Sequence, residues 1–262
     1  MEISAINLIS KHKFAKLMRS KIYWVFFIVG LGMLLMTMFP FLLAEDLKGG
    51  GPMVFMLIYS FTKAYSAFGI FASIAVGSLV LVQDIRDGTL FPYLAKPISR
   101  SEFMFGKILG SFKIMVVFWI FQVIYFLILL YAATEYGITA NLVLAFIFDL
   151  LLYFMLISVT AFFSVIINPV WAAIVVLITV YLPQIAKLAI NTQLGFWTTL
   201  ARVFWFIGPE YNVLDNWGNI TASTMIYSSS LIQKLAYYVT LLLLVLIPTF
   251  RIFTKRNLTP KD

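Results

Sequence analysis

The sequence contains no cysteine and only one histidine, His12. Without cysteine the chain cannot form disulfide bonds or thiolate metal sites, and a single histidine cannot build a His-based metal centre by itself. Charged side chains are also scarce, at 11% of the residues, where a soluble domain carries about 25%. The composition therefore excludes an ordinary soluble enzyme domain.

Long apolar runs make up most of the chain. Hydrophobic residues are 62% of the 262, and the mean hydropathy is +0.99. Several runs approach or exceed ~18 residues, the length that indicates a membrane helix. Nearly all of the chain is therefore expected to lie in a membrane, which leaves no room for a separate soluble catalytic domain.

The net charge of +8 points to the membrane rather than to nucleic acid, because the basic residues lie beside apolar runs and form no patch on a polar domain. Of the 19 Lys and Arg residues, 14 lie in three segments, 11–21, 86–113 and 251–261. By the positive-inside rule these segments face the cytoplasm. We therefore expect a multi-pass protein of the cytoplasmic membrane with both termini in the cytoplasm.

The pattern predicts an all-α integral membrane protein with six spanning helices. Residues 3–20 place apolar and basic side chains on opposite sides at helical spacing, which predicts an amphipathic helix in the membrane interface; the alternative is a merely basic tail. Asn168 and Pro169 interrupt an apolar stretch and predict a tight hairpin between two spans. Residues 191–230 are interpreted as an outer loop with short re-entrant helices. The predicted spans are 22–43, 62–82, 109–132, 142–167, 170–190 and 231–250.

The central polar segment, residues 84–105, is the most informative part of the sequence. Pro92 and Pro97 disfavour a continuous helix through it. Ser99, with Glu102 three residues later, predicts a capping box that starts a new helix. The segment is thus short, stiff and mounted on two membrane helices, as a part that transmits force would be. The alternative is an ordinary basic loop whose charges only fix orientation.

The stretch GTLFPYLAKPISRSEFMFGKIL resembles the membrane subunit of type-2 ABC exporters. The matching positions are Asp84, Gly88, Thr89, Leu90, Pro97, Ile98, Ser99, Arg100, Gly106 and Lys107. The chain departs from the family pattern at Asp84, where Glu is more usual, and at Arg86, where a second acid is common.

The resemblance implies a type-2 ABC exporter fold and an ATP-driven export function. It also implies two separate ABC ATPase subunits, which carry the ATP and Mg, and a second permease copy or close relative. The residues expected to couple to the ATPase are Asp84, Arg86, Asp87, Gly88, Thr89, Pro97, Ser99, Arg100, Glu102 and Lys107.

No phosphate-binding motif of the form G-x-x-x-x-G-K-[ST] occurs in the chain. The chain itself is therefore expected to have no cofactor and no enzymatic activity. A secondary transporter or channel is the main alternative, and a membrane scaffold or enzyme subunit is a third.

Asp149 is the one acid well inside an apolar run. An Asp at the bilayer centre is costly, so it should face a partner or a cavity, either as a structural hydrogen-bonding residue or on a substrate path. Without a second intramembrane acid, an aspartyl intramembrane protease is disfavoured. The aromatic residues of the outer loop form either an interfacial belt or a substrate gate, and those assigned to the gate are Trp197, Phe204 and Trp205.

Overall fold

The computed structural model describes residues 3–43, 52–80, 98–133, 140–191, 199 and 228–255. All regular structure within these residues is α-helical. The seven helices are α1 (Ile3–Met18), α2 (Lys21–Leu43), α3 (Pro52–Ser78), α4 (Arg100–Ala133), α5 (Ala140–Ile166), α6 (Pro169–Asn191) and α7 (Ser228–Lys255).

Three helices in the described part of the chain are long and apolar enough to cross a membrane, which indicates a membrane protein. They are the stretches Arg100–Ile128 of α4, Leu142–Ile166 of α5 and Leu231–Lys255 of α7. Helices α2 and α6 match two of the other predicted spans closely and α3 overlaps the third, but six spans remain a prediction. The apolar stretch 53–61, which the sequence allows as an extension of the second predicted span or as an interfacial piece, is part of helix α3.

The ends of several helices follow from local sequence. Ser20 Oγ accepts a hydrogen bond from the Tyr23 amide at 3.3 Å and so caps α2. Asn168 Oδ1 accepts from the Val170 amide at 3.1 Å, and Pro169 takes the first helical position of α6. The predicted hairpin at Asn168 and Pro169 is confirmed, because α5 and α6 are separated by two residues and pack together.

Helix α5 is the centre of the bundle. Over an 18-residue apolar window in each of the three long helices, 67% of the α5 residues are buried, against 39% in α4 and 22% in α7. One apolar cluster joins α5 to α1, α2, α3, α4 and α7, and a second joins it to α3, α6 and α7. The outer faces of α4 and α7 are apolar and exposed, as lipid contact requires, at Ile120, Ile124 and Ile128 and at Val239, Leu243 and Ile247.

Small residues let α3 approach α5 closely. Gly69, Ser73 and Gly77 recur every four residues along α3 and are all buried. A Cβ atom at Gly77 would lie 2.9 Å from the Thr160 Cβ, and one at Gly69 would collide with the Tyr153 hydroxyl. Such spacing of small residues is the usual basis for close helix packing in membranes.

Candidate functional site

The sequence-predicted site residues fall into two groups. Ser99, Arg100, Glu102, Lys107 and Asp149 lie in described helices or caps. The others lie outside the described residues: Asp84, Arg86, Asp87, Gly88, Thr89, Pro97, Trp197, Phe204 and Trp205.

The start of α4 is fixed by the predicted capping box, which is confirmed. The Ser99 amide donates to Glu102 Oε2 at 3.0 Å, and the Glu102 amide donates to Ser99 Oγ at 3.2 Å. Two of the backbone donors that a helix start leaves unsatisfied are thus paired with side-chain acceptors. Phe103, one turn further, is fully buried against the α7 residue Phe253, with ring centroids 6.4 Å apart. The first turn of α4 is therefore held rigidly.

Arg100 connects the start of α4 to the end of α7. Its Nη1 donates to the backbone carbonyl of Thr254 at 3.0 Å, and Thr254 lies in the last turn of α7. A cation at that position satisfies one of the carbonyls that a helix end leaves without an intrahelical partner. Arg100 thus ties two helix ends together.

Lys107 has no exposed surface. Its Nζ lies 5.0 Å from the centroid of the Phe103 ring, within the range of a cation–π contact. Because the side chain is buried, any part that Lys107 plays in coupling must act through its neighbours rather than by direct contact with another protein.

Helix α1 packs on a glycine surface of α4. A Cβ at Gly106 would lie 2.9 Å from the Ile9 Cβ, and one at Gly110 would lie 2.7 Å from the Lys13 Cβ. The buried residues of α1 are Ile6, Ile9, Ser10, Lys13 and Leu17. The apolar face predicted for the membrane interface consists of Ile3, Ile6, Phe14, Leu17 and Met18. Only Ile6 and Leu17 belong to both this face and the stripe that packs on α4.

Lys13 connects α1 to the end of α3. Its side chain is completely buried, and Nζ donates to the carbonyl of Leu79 at 2.9 Å. Leu79 directly follows the last residue of α3, so the ammonium group caps that helix in the same way as Arg100 caps α7.

These contacts form what we call the anchor cluster: Lys13, Leu79, Ser99, Arg100 and Glu102. Leu79 lies shortly before residues 81–97 and Ser99, Arg100 and Glu102 lie shortly after them, while Lys13 contacts Leu79 from α1. The described residues on both sides of 81–97 are therefore held by hydrogen bonds, most of which involve a charged group and are stronger than neutral ones.

Asp149 belongs to a second group, the polar cluster, which consists of Ser66, Gln122, Asp149 and Tyr153. Gln122 Nε2 donates to Asp149 Oδ2 at 3.3 Å, and the Tyr153 hydroxyl lies 3.2 Å from Gln122 Oε1 and 3.4 Å from the Ser66 carbonyl. Asp149 is only 3% exposed and Tyr153 is fully buried. In this conformation the cluster joins α3, α4 and α5 inside the bundle.

Sequence reasoning missed two parts of the site. Lys13 counted only as one of many basic residues near the N-terminus, and Gly106 only as part of the family motif. The spacing of Gly106 and Gly110, four residues apart in an apolar stretch, was the available signal for close helix packing. No comparable local signal exists for the contact of Lys13 with Leu79, which lies 66 residues away.

Within the described residues no group of three or more His, Cys, Asp or Glu side chains could hold a metal ion. A comparison of the sequence with protein-family models and with curated proteins finds no match.

Proposed function

We propose that the chain is the membrane permease subunit of an ATP-driven type-2 ABC exporter, with residues 84–105 as the segment that couples it to separate ATPase subunits. The observation that carries the proposal is the anchor cluster. A segment that receives force from another protein needs to be connected firmly to the elements that must move. Lys13 holds Leu79, which precedes the segment, and the capping box fixes the start of α4 within it.

Helix α4 is suited to carry that motion into the membrane. It runs without interruption from Arg100 to Ala133, about 50 Å at the usual helical rise. Its first turn lies in the anchor cluster and Gln122 lies in the polar cluster. Displacement of the polar segment would thus reach the interior of the bundle along one rigid element.

The energy source is proposed to be two ABC ATPase subunits that bind ATP and Mg, since the chain has no phosphate-binding motif of its own. A second copy of the permease, or a close relative, would complete the export path. The proposed location is the cytoplasmic membrane, with both termini in the cytoplasm.

Arg100→Glu tests the coupling. The variant should remain folded and bound to the ATPase subunits, yet it should uncouple ATP hydrolysis from transport, because it replaces the donor to Thr254 with an acid. The matched control is Arg251→Glu, which removes an exposed cation from α7. Co-purification of the tagged chain should yield a stoichiometric ATPase. Activity of the chain alone in a purified bilayer, without nucleotide, would contradict the proposal.

The polar cluster favours a second candidate, a secondary transporter. A buried carboxylate in a membrane bundle is a common element of ion-coupling sites. If this candidate is right, Asp149→Asn abolishes transport driven by an ion gradient in vesicles that contain only this chain. If the exporter proposal is right, no gradient-driven transport is seen in such vesicles, with or without the substitution.

A further inference from the structure

Helix α1 runs alongside α4 in the same direction. A Cβ atom at Gly106 would lie 2.9 Å from the Ile9 Cβ, and one at Gly110 would lie 2.7 Å from the Lys13 Cβ. The contact thus advances by one turn on both helices at once. Two helices that crossed at a right angle would touch near a single point, so the axes of α1 and α4 lie roughly along each other.

Helix α2 continues along α4 beyond α1. The rings of Phe27 and Phe121 have centroids 5.1 Å apart. From Ile9 to Phe27 the chain advances 18 residues, while the residues that they contact on α4, Gly106 and Phe121, are 15 residues apart. Helices α1 and α2 therefore follow one another beside α4 and do not meet at a right-angled corner.

The apolar face of α1 is not available to lipid. A helix that lies flat in a membrane interface buries its apolar face among the lipid chains. Of the five residues that form this face in α1, Ile6 and Leu17 are buried within the bundle, and Phe14 and Met18 are half-buried and pack against its main apolar cluster. Ile3 alone is exposed. The face that would hold α1 flat is thus largely covered by protein.

The edge of the membrane on this side of the bundle lies near the junction of α1 and α2. Arg19 and Lys21 are exposed at the junction. Trp24, Val25 and Ile28, which follow on α2, are 48%, 60% and 64% exposed. Basic residues followed by an exposed tryptophan and then by aliphatic side chains are typical of a helix that enters a membrane from water.

We propose that α1 stands beside the first half of α4, outside the hydrocarbon layer, and points away from the membrane instead of lying flat in the interface. It shares the direction of α4, which is long and apolar enough to cross a membrane. Exposed α1 side chains such as Leu8 and Lys11 then face water, and a single exposed leucine is usual on a protein surface. The inference does not depend on the exporter proposal, because it concerns only contacts within this chain.

The exposed apolar surface begins at another level on α7. The rings of Phe250 and Phe105 have centroids 6.2 Å apart, and the exposed Ile247 lies one turn before Phe250. Trp24 lies one turn before the α2 residue that contacts Phe121. The two levels differ by about ten residues of α4, or about 15 Å at the helical rise. A tilted bundle accounts for this difference, and membrane helices tilt by up to about 40°. Even at that tilt, α1 rises steeply from the membrane plane.

The first test measures the height of α1 above the membrane. Ser4 and Ala15 are exposed on the same side of α1, 11 residues apart. A fluorophore is attached to a single cysteine at either position, in vesicles whose chelating lipid head groups hold nickel as the acceptor of energy transfer. An upright α1 places Ser4 about 12–16 Å further from the head groups than Ala15, so transfer should be much weaker from Ser4. A flat helix would give equal transfer from both positions.

The second test asks whether the end of α1 lies in the hydrocarbon layer. Ile3 on α1 and Ile28 on α2 are a matched pair, since both are exposed isoleucines. A fluorophore at Ile28 should be quenched by brominated acyl chains, and a fluorophore at Ile3 should not. Equal quenching at the two positions, or equal energy transfer from Ser4 and Ala15, would overturn the proposal. All four positions are exposed, so the labels do not replace buried side chains.

Discussion

Replacement of Gly110 by alanine should push α1 away from α4. The added Cβ would lie 2.7 Å from the Lys13 Cβ and 2.7 Å from the Ser10 carbonyl oxygen. Two carbon atoms in ordinary contact lie about 3.7 Å apart, so α1 and α4 must separate by about 1 Å. That shift also stretches the bond between Lys13 Nζ and the Leu79 carbonyl, now 2.9 Å long. One methyl group thereby disturbs both the helix contact and the cap of α3.

The expected loss in the free energy of unfolding combines two destabilising effects and one stabilising effect. Overpacking of a well-filled contact costs about 1–3 kcal/mol. Loss of a hydrogen bond to a charged group costs about 1.5–3 kcal/mol. Alanine is a better helix former than glycine by about 1 kcal/mol, which offsets part of the loss. The net destabilisation is about 1.5 to 5 kcal/mol, and for a chain of this size it lowers the unfolding midpoint by about 3 °C or more.

The absence of cysteine makes the helix contact measurable. Asn7 on α1 and Lys113 on α4 approach each other, with Lys113 Nζ 3.5 Å from Asn7 Oδ1. Cysteines introduced at these two positions have no native thiol to compete with. A short bifunctional thiol reagent should cross-link these two cysteines rapidly in the otherwise unaltered chain. In the Gly110→Ala variant, cross-linking of the two cysteines should be slower and the midpoint of thermal unfolding should fall.

Gly32→Ala is the matched control, since a Cβ there would meet nothing within 4 Å. It should leave the crosslinking rate unchanged and should not lower the midpoint. If Gly110→Ala behaves like Gly32→Ala in both measurements, the glycine surface of α4 does not position α1, and the reasoning is refuted.

Three further substitutions test individual contacts by thermal unfolding. Lys13→Met should cost about 1.5–3 kcal/mol, because the Leu79 carbonyl loses a charged donor; an equal loss in the exposed control Lys11→Met would argue against a cap. Ser99→Ala should cost about 1 kcal/mol through loss of the helix cap, and Ser101→Ala should cost much less. Tyr153→Phe should cost only about 0.6 kcal/mol, the usual size of a side-chain hydrogen bond inside a membrane bundle. A much larger loss would mean that the polar cluster stabilises the fold more than its distances suggest.

Much of the helical architecture could be predicted from the sequence because its signals are local. Apolar length indicates a membrane helix, and Asn168 with Pro169 marks a break within an apolar stretch. The capping box of Ser99 and Glu102 depends on residues three apart, so it can be read without knowledge of the fold. These features were predicted correctly for a common reason: each depends on neighbours in the chain.

The packing face of α1 could not be predicted in the same way. Helical spacing places Ile3 and Ile6 on one side, yet Ile6 is buried and Ile3 is 83% exposed. The buried stripe is set by the shape of α4, whose glycines admit Ser10 and Lys13 as readily as an apolar side chain. Which α1 residues meet that surface is a tertiary property. A hydrophobic pattern taken from α1 alone does not contain it.

Two basic residues of this chain, Lys13 and Arg100, bind backbone carbonyls at helix ends. Lys13 donates to Leu79 after α3, and Arg100 donates to Thr254 in the last turn of α7. Helix ends that carry unsatisfied carbonyls favour nearby cations, and the positive-inside rule concentrates cations on the cytoplasmic side. If this end of the bundle faces the cytoplasm, as we propose, the same basic residues can cap helix ends and orient the protein. Among the described residues, Lys13 and Lys107 are fully buried cations. Without these two, 12 of the other 17 basic residues still lie in the same three segments, so the prediction of orientation does not depend on them. A cap requires the cation at one position in the chain, whereas orientation requires only that the cation lie on one side of the membrane. Moving a lysine by a single residue along α1 should therefore preserve the topology of the chain and still release the end of α3.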